Sequence, residues 1–238
     1  MKLAKLATLV LAPLFLASVA FAAPMTVSVA SDNVTVVVNG KATALKAGAT
    51  VPAGATVKVA KGASARVTLP DGTVVGLGEG ASFSVKSSTE EDGVTSTVAS
   101  LSGGAATIQA NLKKGSSFTL ETPAGTISGI KGTVTVTATA STMSVTATQE
   151  RWRVAGTDGK VSVLAAGQTI FLTKDNPNPA PRPATRAEKK QAELLLAAGE
   201  EDFRTPGASA PVDADPFGED VEIDGLNLAT IPENSPSY

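Results

Sequence analysis

The chain has 238 residues, 20 Lys+Arg against 22 Asp+Glu for a net charge of −2, 42% hydrophobic and 4% aromatic residues, and neither cysteine nor histidine. Disulfide stapling, thiol nucleophiles and imidazole chemistry are therefore excluded. One Trp and one Tyr leave little platform for stacked bases, and no blanket of positive charge runs through the sequence, which argues against DNA or RNA as a partner.

Residues 1–22 carry Lys2 and Lys5, then the apolar run from Leu6 to Phe15 and its continuation, and end in Ala20, Phe21 and Ala22. A charged start, a short apolar middle and small residues at −3 and −1 describe a signal peptide cleaved after Ala22. The expectation is an exported chain, periplasmic or extracellular, that meets the membrane only through this segment before cleavage. No later stretch approaches about 18 consecutive apolar residues.

From Thr26 to Thr173 the sequence alternates Val, Thr and Ala between glycine-bearing turns, the pattern of half-buried strands. Residues 23–174 hold 13 Lys+Arg and 9 Asp+Glu, net +4, and residues 175–238 hold 5 and 13, net −8. Thr26–Val29 and Val34–Val38 are the first strands, and Asn39-Gly40 predicts a hairpin over about 34–45, because both central residues of a type I′ turn need positive φ. Ala47-Gly-Ala-Thr50-Val51 recurs six residues on as Ala53-Gly-Ala-Thr56-Val57, either a pair of ordinary turns or the start of a coil that winds one strand per turn. Ala65–Leu69, the turn Pro70-Asp71-Gly72 and Thr73–Leu77 form a second hairpin. Gly76-Leu-Gly78-Glu-Gly80-Ala81 fits a loose dinucleotide pattern, but the next residues, Ser82 to Val85, alternate as a strand where phosphate binding needs a helix.

Glu90, Glu91 and Asp92 read as a solvated hairpin tip before a strand at Thr95–Leu101. Phe118–Glu121, the turn at Thr122-Pro123-Ala124-Gly125, Thr126–Ile130, Lys131-Gly132-Thr133 and the alternating run after Val134 come next, and Lys160–Leu164 and Thr169–Leu172 close the region. About a dozen short strands predict an all-β sandwich or a twisted solenoid-like stack. Arg151-Trp152-Arg153 is the candidate interface, since Trp and Arg are enriched at binding hot spots. Strand alternation equally allows Trp152 to turn inward with both arginines outside. Lys131 is within reach of pairing with an acid such as Glu121.

Five elements recur here in one order: Leu45-Lys-Ala-Gly48 with Val51 and Gly54; Ala65 through Asp71-Gly72-Thr73; Phe118 through Thr122-Pro123; Ile130-Lys131-Gly132-Thr133; and Ala166-Gly167-Gln168. Together they resemble the FecR domain over residues 34–172. The resemblance implies an extracytoplasmic twisted all-β domain with no catalytic residues and no cofactor, in a family whose best-known members relay a receptor signal to a sigma factor. Asp71, Gly72, Thr122, Pro123, Lys131, Gly132, Thr133, Gly167 and Gln168 are then scaffold residues of the motif. The sigma-binding segment and transmembrane helix of those members have no counterpart in this sequence.

Proline at 177, 179, 181 and 183 makes residues 175–184 an extended spacer that projects the C-terminal segment away from the β region. Thr185 with Glu188 is a capping box opening a short helix within 185–203, with a narrow apolar stripe of Ala187, Leu194, Leu195 and Ala198. Residues 204–238 are acidic and proline-bearing, the composition of a disordered tail. The expectation is a non-catalytic, FecR-like β domain over 23–174 that acts by protein or envelope-surface binding, with another envelope protein as its partner; the alternative is a periplasmic signalling regulator working with a receptor and a separate sigma-factor partner. The oligomeric state is open.

Overall fold

The computed structural model describes residues 24–197. The expected signal peptide, residues 198–203 of the segment expected to hold the helix, and the acidic tail lie outside the described residues.

The chain passes back and forth between two sheets. β1 (Met25–Ala30) belongs to sheet 1 and the hairpin β2 (Val34–Val38) with β3 (Lys41–Ala44) to sheet 2; β4 (Thr50–Val51) returns to sheet 1 and β5 (Thr56–Val59) to sheet 2. The hairpin β6 (Ala65–Thr68) with β7 (Val74–Leu77) lies in sheet 1, and β8 (Ser82–Glu91) in sheet 2. β9 (Val94–Asn111) pairs with β8 over its first half and with β7 over its second, so a single strand serves both sheets. Three more units complete the alternation: β10 (Ser117–Thr122) with β11 (Gly125–Gly129) in sheet 2, β12 (Lys131–Ala138) with β13 (Thr142–Gln149) in sheet 1, and β14 (Trp152–Gly156) with β15 (Val161–Leu164) in sheet 2. β16 (Gln168–Thr173) and β17 (Arg182–Pro183) end sheet 1, and α1 (Arg186–Ala197) comes last.

By the pairings, sheet 1 runs β4-β1-β6-β7-β9-β12-β13-β16-β17 and sheet 2 runs β3-β2-β5-β8-β9-β10-β11-β14-β15. Among the described residues every pair is antiparallel except β9 with β10. The architecture is thus a sandwich wound as a solenoid of hairpins, and both halves of the sequence expectation hold. The crossing inside β9 depends on Gly104, at φ +82°, where a Cβ would come within 2.2 Å of the Ala81 amide nitrogen. Only glycine permits that approach.

The six-residue repeat proves to be two copies of one crossing turn. Ala49 N donates to Lys46 O and Ala55 N to Pro52 O, both at 3.2 Å, with Gly48 and Gly54 at positive φ. The result places Val51 in sheet 1 and Val57 in sheet 2, both fully buried. Asn39 and Gly40, at φ 49° and 80°, close the expected hairpin with Val38 opposite Lys41. Between the sheets, alternate residues interdigitate: Val67, Leu77, Ile108, Val136, Val145 and Ile170 from sheet 1 meet Phe83, Leu101, Phe118, Leu120, Ile127, Trp152 and Leu164 from sheet 2. Burial of a side chain of this size stabilises by about 1.5–3 kcal/mol, and with few aromatics the core relies on many such contributions.

The spacer expectation is corrected. Residues 175–184 bend at Asp175 and at Pro177-Asn178 before the short strand Arg182-Pro183, and they do not project: Arg182-Pro183 pairs with Gln168-Thr169, Ala184 N donates to Gly167 O, and Ser162 Oγ donates to Asn178 Oδ1 at 2.9 Å. The segment is a strap along the sandwich. The helix starts as expected, with Thr185 N donating to Glu188 Oε2 at 2.7 Å and Glu188 N to Thr185 Oγ1 at 3.3 Å, a reciprocal cap. Its buried stripe differs from the expected one: Ala192 is fully buried and Leu195 partly so, while Ala187 and Leu194 face solvent. The reason is the surface beneath, where Gly76 of β7 and Gly78 just after it lack the side chains that would hold a helix off.

Candidate protein-binding cleft

Most of the turns that carry the sequence motifs gather at one end of the sandwich. Pro70-Asp71-Gly72 lies there between β6 and β7, the acidic tip between β8 and β9, and Lys113-Lys114 between β9 and β10. Ile130 to Gly132 joins β11 to β12, Glu150-Arg151 joins β13 to β14, and Ala166-Gly167 precedes β16. Thr122-Pro123 is the exception, in the β10–β11 turn at the opposite end.

A cleft of about 800 Å³ opens at the first end, lined by Ser116, Ser117, Phe118, Ser128, Gly129, Ile130, Lys131, Glu150, Arg151, Trp152, Arg153 and Val163. A hollow of about 490 Å³ adjoins it, sharing Lys131 and Glu150 and adding Ala110, Asn111, Gly132 and Gln149. Trp152 is fully buried, so the inward reading is the correct one and its ring is not an exposed anchor. β14 places Trp152 and Val154 toward the core, and a Cβ on Gly129 would fall 2.5 Å from the indole Cε3. Gly129 is the bed on which the ring rests. The Trp152 indole N–H has no hydrogen-bond partner among the described residues.

Arg151 and Arg153 are exposed, as is Lys131. The expected Lys131–Glu121 pair does not form, because Glu121 binds Lys86 on the outer face of sheet 2. The other ion pairs of the described residues are Lys160–Asp158 at 3.6 Å and Arg182–Glu188 at 2.7 Å. Lys131, Arg151 and Arg153 thus stand around the cleft in no ion pair of the described residues, with Glu150 as the one carboxylate of the lining, beside Ile130 and Val163, which are 48% and 53% exposed. Three cations around an apolar shelf suit a partner that brings carboxylates and apolar side chains together.

The remaining motif residues hold the turns. Asp71 Oδ1 accepts from Thr73 N at 2.8 Å, Thr122 Oγ1 donates to Gly125 O at 2.9 Å, Thr133 Oγ1 donates to Gln149 Oε1 at 3.1 Å, and Gln168 Oε1 accepts from Ala165 N at 2.9 Å. Gly167 N donates to Ala147 O, tying β16 to β13. Gly132, at φ +113°, would set a Cβ 2.4 Å from Gln149 O and 2.6 Å from Glu150 Cβ, so the Lys131-Gly132-Thr133 element is what lets β13 leave sheet 1 at this point. Glu150 itself takes φ +60°, a left-handed conformation that costs a residue with a Cβ about 1–2 kcal/mol. The cleft serines are structural in part: Ser116 Oγ accepts from Thr95 N at 2.9 Å, and Ser117 Oγ shares a hydrogen bond with Ser96 Oγ at 3.1 Å. Among the described residues no group of three or more Asp, Glu, His or Cys is placed to hold a metal ion, and no helix is long and apolar enough to cross a membrane. Sequence reasoning did not single out Ile130, Val161 or Val163 as exposed.

A two-sheet solenoid of hairpins with a cationic cleft at one end defines the class as an all-β domain. Residues 55–170 match the family model of FecR protein, and this part of the chain is a FecR domain. The fold is similar to two crystal structures, at 1.65 and 2.50 Å resolution, each described as a candidate anti-sigma factor from Parabacteroides distasonis ATCC 8503. Both are 23% identical to this chain, with TM-scores of 0.51 and 0.49, and each alignment covers 58% of this chain. The chain spans 64% and 63% of the length of those two structures. No curated protein matches the chain.

Proposed function

We propose that the protein is exported and acts without catalysis, its FecR domain binding another envelope protein as part of a regulatory relay. The family match supports the regulatory part. The observation that carries the binding surface is the trio Lys131, Arg151 and Arg153, exposed, in no ion pair of the described residues, outnumbering the one lining carboxylate Glu150, and set around the apolar shelf of Ile130 and Val163. Charges so placed steer an acidic partner and select it over a basic one. The test is cross-linked capture from envelope extracts with the wild-type chain and with Arg151→Glu/Arg153→Glu. A discrete partner held by the wild type and lost in the charge-reversed variant supports the reading; equal recovery by both sinks it.

A second reading makes the chain a periplasmic signalling regulator that works with a receptor and a separate sigma-factor partner. The fold shared with the Parabacteroides structure of TM-score 0.51 favours it. Deleting the chain should then change transcription from a set of promoters read by one alternative sigma factor, and an unaltered transcript profile would reject it.

A further inference from the structure

Sheet 1 ends in β4 and β17, of two residues each, the second containing Pro183; sheet 2 ends in β3 and β15. Short length and proline blunt an edge against further pairing. β3 begins with Lys41 and otherwise carries only Ala and Thr. β15 reads Val-Ser-Val-Leu, with no charge and no proline, and its Val161 and Val163 are 57% and 53% exposed.

The register of β15 on β14 settles which backbone groups are free. Pairs run Trp152 with Leu164, Arg153 with Val163, Val154 with Ser162 and Ala155 with Val161, without a bulge, and Gly156 N donates to Lys160 O. Antiparallel ladders alternate bonded and non-bonded pairs, so Lys160, Ser162 and Leu164 turn their amides and carbonyls toward β14. Val161 and Val163 turn theirs away, and among the described residues no hydrogen bond reaches them. Two N–H and two C=O groups thus stand open beside a row that places Val163 next to Arg153 and Val161 next to Ala155 on the outer face.

We propose that the free edge of β15 receives an extended acidic segment of the partner protein as an additional strand of sheet 2. The inference deepens the protein-binding reading above and rests on it. Added strands take affinity from main-chain hydrogen bonds and specificity from alternate side chains. The outer-face residue opposite Val161 is apolar, packing over Ala155. The one opposite Val163 is acidic, because Arg153 lies two strand spacings of about 4.8 Å away, a span that an arginine and a glutamate cover between them. Arg151 and Lys131 at the cleft mouth extend the same preference.

The test uses the purified chain and a labelled nine-residue peptide, Gly-Thr-Val-Thr-Glu-Thr-Val-Thr-Gly, with one version carrying lysine for glutamate and one N-methylated at alternate amides. Saturable binding of the glutamate peptide is expected, at least 10-fold weaker for the lysine peptide and for Arg153→Glu, and lost on N-methylation. Val163→Pro removes an outward amide without touching the β14 ladder and should weaken binding at least 10-fold, whereas Val163→Thr should not; circular dichroism checks that both fold. Absence of saturable binding, or equal binding of the N-methylated peptide, overturns the proposal. So does concentration-dependent dimerisation abolished by Val163→Pro, which would assign the edge to a second copy. Loss of the envelope partner in Arg151→Glu/Arg153→Glu together with unaltered capture by Val163→Pro would leave the binding function standing and remove only the strand-addition mode.

Discussion

The outer faces of the two sheets start from the same chemistry, alternate Thr and Ser on Val-rich strands, and meet different fates. On sheet 1, α1 packs on β7, β9 and β13 and the strap pairs with β16. On the same face Thr107, Thr135, Thr146 and Thr169 are buried and satisfied by each other, with hydroxyl pairs Thr107–Thr135 and Thr146–Thr169 both at 3.0 Å. On sheet 2 the corresponding row, Thr119, Ser128 and Arg153, keeps its contact with solvent and runs out to the free valines of β15. What separates the two is local. Gly76 and Gly78 make a seat on which a helix backbone can lie, and sheet 2 has arginine and valine in the equivalent exposed rows. One face is closed by the chain itself and the other stays open to solvent.

The contrast breaks most severely at Trp152, whose ring fills the core beneath the open face. Trp152→Ala should cost about 3–5 kcal/mol, seen as a lower midpoint in urea with the sandwich unfolding as a unit; a loss under about 1 kcal/mol would show that the cleft end is not packed as described. Gly76→Val attacks the closed face alone. Its Cβ would lie 3.2 Å from Leu195 O before the methyl groups are counted, an overpacking of about 1–3 kcal/mol. Hydrogen exchange should quicken in residues 186–197 and remain slow in β7 and β9.

Thr185→Ala removes the helix cap at about 1 kcal/mol, and tryptic cleavage at Lys189 and Lys190 should rise with little change in the melting temperature. The same contact has a pH signature. The Arg182 guanidinium holds the Glu188 carboxyl below its ordinary range, helped by the backbone and hydroxyl of Thr185 and opposed by burial. Stability from this group is therefore complete above the ordinary carboxylate pKa and is lost as pH falls through the lowered folded value. Helix exchange protection should decline with acid in the wild type and lose that dependence in Glu188→Gln. The smallest effect sharpens the open end: Glu150→Gly relieves the left-handed strain and gives up chain entropy, for a net gain of about 0.5–1 kcal/mol in urea unfolding.

Strand positions, the Asn39-Gly40 hairpin and the Thr185–Glu188 cap were legible because each depends on neighbours in sequence: side-chain period, positive-φ turn residues and a three-residue reach. Val161 and Val163 were not. Alternation alone assigns the valines of Val-Ser-Val-Leu to the core, but pairing of Leu164 with Trp152 shifts the parity and turns them outward. A register offset of one residue inverts both faces of a strand, and it is chosen by the tryptophan on the neighbouring strand. The loss of the Lys131–Glu121 pair has a similar cause, since Glu121 shares the outer face of sheet 2 with Lys86, 35 positions away.

The amino-acid order by itself determined a β-rich chain without thiol or imidazole chemistry, the places where it turns, and the start of its one described helix, because these depend on composition and on short-range backbone preference. Only the tertiary structure decided which threonines would be covered, that the proline segment straps the sandwich, and that a cationic cleft and an unpaired valine edge share one sheet. Those outcomes depend on which distant strands become neighbours and in what register, and sequence periodicity carries no record of that choice.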